Sequence, residues 1–451
     1  MSSQHTAQLQ IQFLVVGGGV AGLACAYALA IAGHEVTIIE KGALDAKTEG
    51  SVRCPPNMTR LLKRWPGMAA LFDERATPVS GLSFRDGQTG VPIGFMRFYE
   101  ELMSDLRADF LALKHDDLRR HLDFLCASSG QVRFVHGHVV GLSKESVDDG
   151  VSVSLQDGRI LSGDIIVGAD GHQSVVRKLF FDEREPSDVV VTWQVHLVIP
   201  TQAVLDRGLA NEHEFTIWAG DNSMMSGILD TASKNFYLGI CTTGPVAALN
   251  CDWFKSYDNT FLPDFDLAGY DPRIHELIDC ATDCHPTIQT IHENRDAVAP
   301  NSKVILIGDA ANSVLLHGTH NTSMAIEDAM TLGSLFSRVR TREKIKKAIG
   351  VYDDLREPRV EQIRKSEYAS LKEISLPQGV ERQRRDDALQ LTLQPEYATY
   401  EDCSDSDDLI EAWEPYIDAF KYDAVEAVDD WFSQLGSFFE NVPPYINIVV
   451  A

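Results

Sequence analysis

Three short turns built from glycine and aspartate hold most of the chemistry this sequence could perform. The first, Gly17-Gly18-Gly19-Val20-Ala21-Gly22, has the spacing G-x-G-x-x-G. In such a loop Gly17 allows the tight turn, Gly19 lets the backbone approach a pyrophosphate, and Gly22 lets helix and strand pack closely. Glu40, with Lys41 beside it, ends the next apolar run and can accept hydrogen bonds from ribose hydroxyls. The second turn is Gly168-Ala169-Asp170-Gly171, with Ser174 and Arg177 just beyond it, and the third is Gly308-Asp309-Ala310-Ala311. Gln194 and His196 alternate along an apolar run, so both face one side of a strand and could line a substrate pocket. Trp218 and Met225 read as core. Cys280, Cys284 and His285 form the only close cysteine group, and with no second pair they are poor zinc ligands. No metal is expected.

The elements around these turns follow from periodicity. Ile11–Val16 is a short apolar run rich in β-branched residues, too short to span a bilayer, and reads as a buried strand. Ala21–Ala32 reads as a helix closed by Gly33, and Val36–Ile39 as the next strand. Asp86-Gly87 and Asp157-Gly158 mark hairpins. Between Val189 and Thr243 the pattern turns to β, which predicts a second, mostly antiparallel sheet. Lys303–Ile307 reads as a strand and Thr322–Val339 as a long helix. Ala325, Ala329 and Gly333 keep one side of that helix slim, and Glu327-Asp328 read as acids favouring its N-terminal dipole. Arg342 to about Ala369 reads as a charged helix broken at Pro358. Short helices are expected at Trp253–Tyr257 and Pro272–Cys280. Beyond Arg382 apolar spacing is helical in places, around an acidic stretch at Glu401–Asp408, and Tyr445–Val450 is expected to tuck against the body.

The chain has 66 acidic against 40 basic residues, a formal charge of −26. That balance argues against nucleic acid or an anionic membrane surface as partner. Phosphates must then be held by local dipoles and a few arginines. No run spans a membrane, and Met1–Gln10 lacks the basic start and apolar core of a signal peptide. The eight scattered cysteines suit a reducing, cytoplasmic setting.

The three turns, each after a buried strand, together resemble the class A flavin-dependent aromatic hydroxylases, close to salicylate and hydroxybenzoate hydroxylases. GDIIVGADGHQSVVRK is similar to the family's Asp-Gly motif, and IGDAANSVLLHGTHNTSMAIEDAMTLGSLFSR to its second flavin motif. The resemblance implies an α/β fold: a Rossmann-like FAD-binding domain (residues 10–185 and 301–375), an inserted mostly antiparallel β-sheet domain for substrate (186–300) and a helical C-terminal tail (376–451). It implies bound FAD, NADPH or NADH as co-substrate, O2, and hydroxylation of a small aromatic, phenolic substrate through a flavin hydroperoxide, by a monomer or homodimer. Gly17, Gly19, Gly22, Glu40, Lys41, Asp170, Gly308, Asp309, Asn321 and Thr322 are the cofactor-binding candidates it supports. The family's FAD-contacting Arg aligns with His115, and Arg119 is the nearest substitute.

The front of the flavin site departs from the family. Asn312 replaces a His, Leu316 a Pro, and Thr319-His320-Asn321 a Gly-Gln-Gly. The Arg and Tyr that place phenolates in relatives fall near Val195 and Ile228. His317 and His320 enter this region, and either could orient a phenol or accept its proton. This rebuilt front points to a specialised biosynthetic substrate. Alkene epoxidation and a degenerate FAD-binding protein stand as the alternatives.

Overall fold

In a computed structural model, residues 7–42, 50–143, 150–180, 189–243, 267, 269–292, 296–299, 303–311, 318–394 and 407–440 are described. Strand β1 (Gln12–Val16) runs through the glycine loop into α1 (Val20–Ile31) and β2 (Glu35–Glu40). Next come β3 (Ser51–Cys54), α2 (Pro56–Leu62) and the hairpin of β4 (Gly81–Asp86) and β5 (Pro92–Arg97). They are followed by β6 (Leu111–Lys114), α3 (His115–Ser128) and β7 (Val132–His136). After a small antiparallel meander, β8 (Ile165–Gly168) enters α4 (Val175–Phe180). The long strands β9 (Val189–Pro200), β10 (Glu214–Ala219), β11 (Ser223–Asp230), β12 (Asn235–Thr243) and β13 (Asp283–His292) come next. The chain ends in β14 (Val304–Leu306), α5 (Asn321–Phe336), α6 (Glu343–Ile374), α7 (Val380–Leu391), α8 (Asp407–Lys421) and α9 (Ala424–Glu440).

The first layer is a five-stranded parallel sheet ordered β14-β8-β1-β2-β7. A parallel sheet needs cover on both faces, and the alternation of β1 supplies it. Phe13 and Val15 point into a core shared with α1, α3 and α5, whereas Leu14 and Val16 point to the meander and α4. Chain order reverses direction around β1, with β2 on one side and β8 on the other. That arrangement opens a crevice at the carboxyl ends of these strands. Helix α5 lies close on α1, because Gly333 leaves no room for a Cβ against Ala28.

The second layer is a seven-stranded sheet ordered β13-β9-β12-β11-β10-β4-β5, antiparallel throughout except for the β10–β4 pair. The β4–β5 hairpin therefore joins this sheet although it lies far earlier in the chain. One face is apolar: Val195, Leu197, Ile199, Trp218 and Met225 form its core. The opposite face carries Gln194 and His196, and there Met224 and Cys241 meet Leu371 of α6.

Helix α6 continues through Pro358, where the sequence pattern suggested a break. Pro358 and Asp354 are both exposed, so the carbonyl that loses its helical N–H can be hydrated. The C-terminal helices dock rather than trail. Arg60 of α2 donates to the carbonyls of Phe420, Lys421 and Tyr422, Asp423 accepts from Arg60 and Arg64, and Ala424, Val428 and Phe439 join the main core. No helix among the described residues is long and apolar enough to cross a membrane. The expected helix at Trp253–Tyr257, residues 401–406 of the acidic stretch, and Tyr445–Val450 lie outside the described residues.

Candidate functional site

The three turns leave the carboxyl ends of three neighbouring strands, since Val16 pairs with Gly168 and Gly168 with Leu306. Gly17 has φ +110°, and a Cβ there would run into the Ala169 carbonyl; a Cβ on Gly22 would run into the carbonyl of Gly17. A Cβ on Gly19 would instead meet nothing within 4 Å. The glycines thus do different work: two let backbones touch, and one leaves open space in front of the N-terminus of α1. That space belongs to a cleft of about 250 Å³ lined by Gly17, Gly19, Glu40, Lys41, His138 and Asp170. Glu40 is fixed at its rim, accepting the amides of Gly18 and Gly42, each at 2.6 Å. Backbone amides at a helix start, an acid held beside them and a cradle free of side chains suit a dinucleotide's pyrophosphate and ribose. FAD therefore fits the residues present.

Asp170 uses its carboxylate locally. Oδ1 accepts from the Ser174 hydroxyl at 2.5 Å and Oδ2 from the Val175 amide at 2.7 Å, so it caps α4 while lining the cleft. Arg177 on α4 donates to the carbonyls of Ala310 (2.8 Å) and Ala311 (2.6 Å), tying the second turn to the third. In the third turn, Asp309 accepts from Asn321 Nδ2 at 2.9 Å. Burial raises the Asp309 carboxyl to about 6, against the opposing pull of Asn321. Asn321 and Thr322 open α5, with His320 at its N-cap.

Glu327 and Asp328 correct the sequence reading. Both are buried beyond the first turn of α5 and do not serve its N-terminal dipole. Arg356 pairs with both at 2.7 Å, and Arg359 pairs with Glu327 at 3.0 Å. Although burial disfavours its charge, Glu327 is held down at about 2 by Arg359 and Arg356. Asn57 donates to Glu327 at 2.8 Å, and Asp328 accepts the Gly308 amide at 2.9 Å. This network fixes the third turn from behind.

A second group of side chains gathers where the start of α5 meets the polar face of the large sheet. His196 of β9 lies opposite His285 of β13. Burial, then His285 and Arg53, push the His196 imidazole down to about 4. Arg53 of β3 donates to Ser226 Oγ at 3.1 Å and stacks 3.8 Å over the Phe215 ring. His320 is buried, with Nδ1 3.2 Å from Ser323 Oγ; burial and Arg359 push it down to about 3. It is a neutral hydrogen-bonding group at ordinary pH. Gln194 is fully buried on the His196 side of its strand. His115 opens α3 and Arg119 lies on its second turn, and neither lines the cleft. Asn312, Leu316 and His317 lie outside the described residues.

Sequence reasoning missed Arg53, Arg356, Arg359 and Glu367. Arg53 carried a faint signal, since it alternates with the buried Val52 and Cys54. Glu367 carried a clearer one: it interrupts the apolar stripe Val360, Ile363 and Leu371 on α6. Neither signal names a partner.

The sequence matches the FAD binding domain family over residues 10–366. It is 26% identical over 390 residues to 3-amino-4-hydroxybenzoate 2-monooxygenase PtmB3 of Streptomyces platensis, covering 85% of this chain and 93% of that one. It is 25% identical over 396 residues to hispidin-3-hydroxylase of Neonothopanus nambi, covering 79% and 88%. The fold is similar to that of a salicylate hydroxylase solved with its substrate, with a TM-score of 0.68, 17% identity, and coverage of 93% of this chain and 97% of that one.

Proposed function

The chain belongs to the FAD binding domain family, among the aromatic-hydroxylase-like flavin monooxygenases, and from that premise we propose that it hydroxylates a phenolic aromatic at the expense of NADPH or NADH. The balanced reaction takes the phenol, NAD(P)H, a proton and O2 to the hydroxylated phenol, NAD(P)+ and water. FAD, when bound, supplies the hydride-accepting and O2-activating chemistry. The chain's own residues bind, orient and enclose.

The glycine loop and the start of α1 receive the pyrophosphate, Glu40 and Lys41 the adenosine end, and Asp309 the ribityl hydroxyls, with Asn321 holding that acid in place. The N-terminus of α5, at Asn321 and Thr322, directs amides and a positive dipole toward the flavin ring. The substrate lies on the polar face of the large sheet at Gln194 and His196. A neutral His320 hydrogen-bonds the phenol, and His317 is the second candidate for that role. The single observation that carries this reading is the placing of Arg53, which donates to Ser226 on the polar sheet face and whose charge also bears on the buried His320 at the start of α5. The names of the relatives, a hydroxybenzoate monooxygenase and a hispidin hydroxylase, support an aromatic substrate and a place in specialised metabolism.

The test is direct. Purified protein should show flavin absorption, and a panel of phenols should contain one that accelerates NAD(P)H oxidation and yields a hydroxylated product. Flavin-loaded protein that no phenol stimulates would sink the proposal. Efficient turnover of plain salicylate would count against a specialised substrate.

A further inference from the structure

One buried acid is explained neither by the nucleotide cleft nor by the network on α5. Glu367 sits on the inner stripe of α6, between Ile363 and Leu371, and is 8% exposed. Its Oε1 accepts the His320 amide at 2.7 Å. A Cβ on Gly318 would overlap Oε2, so the carboxyl lies flush against the turn that enters α5. Oε2 is buried with no hydrogen bond of normal geometry among the described residues, and the Thr319 amide favours its charge. Arg53 favours that charge too, and Glu367 in turn favours the charge on Arg53. Arg53 is anchored to Ser226 and Phe215 of the large sheet. A leucine at position 367 would complete the apolar stripe at lower desolvation cost.

We infer that Glu367 is a positioning residue: it clamps the Gly318–His320 turn and, through Arg53, holds the N-terminus of α5 in register with the polar face of the substrate sheet. This rests on the reading that flavin and substrate meet between that turn and that sheet. Glu367 lies in none of the three nucleotide turns, and its action is through the backbone of its neighbours. The clamp requires a carboxylate, because a charged acceptor bonds an amide more strongly than a neutral one.

Among the described residues, the titratable and charged groups facing Glu367 are Arg53 from β3, His320 from the start of α5 and Tyr416 from α8. His320 is neutral and burial raises the Tyr416 hydroxyl, so Arg53 is the cation in this set. Burial raises the Glu367 carboxyl to about 7, against the pull of the His320 amide and Arg53. The His320 amide favours the ionised form, so protonation weakens this one bond and the clamp should loosen as pH falls below neutrality, although the buried acid as a whole is least costly when protonated.

Residue-resolved amide hydrogen exchange on the full chain, without flavin and with it, tests this. The variants are Glu367→Gln, which keeps the shape and loses the charge, and Glu367→Leu, which suits the apolar stripe and removes the acceptor. At pH 8, protection of the His320 amide should fall about tenfold in the Gln variant and further in the Leu variant. Wild-type protection, corrected for intrinsic rate, should approach the Gln value between pH 8 and pH 6, and the Gln value should stay flat. In the flavin-loaded Gln variant, FAD affinity should be kept while less product forms per NAD(P)H consumed. Wild-type protection at His320 in both variants, or a wild-type pH trend in the Gln variant, overturns the inference. Failure of every phenol to stimulate wild-type protein would instead defeat the proposed function, and the exchange result on flavin-free protein is read independently of it.

Discussion

The nucleotide end and the proposed substrate end of this molecule are built from different materials. At the nucleotide end the groups left free to meet a ligand by the cradle around Gly19 are backbone amides in our reading, and the nearby acids are held by short bonds, such as Glu40 to Gly18 and Asp170 to Val175. At the proposed substrate end the polar groups are side chains from distant elements: Arg53 from β3, His196 from β9, His320 from the start of α5 and Glu367 from α6. Their charges are set by burial and by one another, as the lowered His196 and His320 and the raised Glu367 show. Backbone sites depend on steric room; side-chain sites depend on electrostatic balance. Substitutions in the two regions should therefore fail in different ways.

The largest effect is expected where that balance supports the fold. Arg356→Ala leaves Asp328 buried without its arginine and Glu327 with only Arg359, and should cost about 3–5 kcal/mol of stability. Urea unfolding measures it, and a loss under about 1 kcal/mol would show that the network is dispensable. Next comes the pH dependence of Glu367. Its folded pKa, about 7, lies above the ordinary 4.5, so the folded state binds its proton more tightly than the unfolded state does. Its contribution is most favourable below pH 4.5 and is lost as pH rises to about 7, a change of about 3 kcal/mol. The difference in unfolding free energy between wild type and Glu367→Gln, followed from pH 4.5 to 8, should show that slope; a flat difference would contradict it.

The nucleotide end should respond through binding. Gly17→Ala places a Cβ against the Ala169 carbonyl at a left-handed φ. FAD should bind about a hundredfold more weakly, roughly 2.7 kcal/mol, by flavin fluorescence titration. Unchanged affinity would mean that steric room does not govern this end. The smallest expected effect is Ser174→Ala, which removes the bond donated to Asp170 and the one accepted from the Arg177 amide and should lower stability by about 1–2 kcal/mol, read as a small shift in Tm. A much larger loss would bring the nucleotide end closer in character to the buried charge layer.

This contrast also governs how much was legible beforehand. Gly17, Gly19, Gly22 and Glu40 could be assigned jobs because each answers a local backbone requirement visible within one strand–turn–helix stretch. The alternation that puts Gln194 and His196 on one face is likewise local, and the large sheet has them together on its polar side. Glu327 and Asp328 were misread because a helix N-terminus is a local explanation, whereas Arg356 and Arg359 reach them from the next helix. The break expected at Pro358 failed for a related reason: burial decides whether a lost helical bond can be hydrated.

The sequence by itself therefore determined the layers, the strand-to-turn junctions and the dinucleotide character of the first site, because periodicity and glycine spacing are properties of short stretches. The tertiary structure alone decided that three turns lie on neighbouring strands, that the β4–β5 hairpin joins the large sheet, and that Glu367 of α6 accepts the His320 amide at the start of α5. Those meetings bring together residues far apart in the chain, and the charge each group carries there depends on which neighbours exclude water from it.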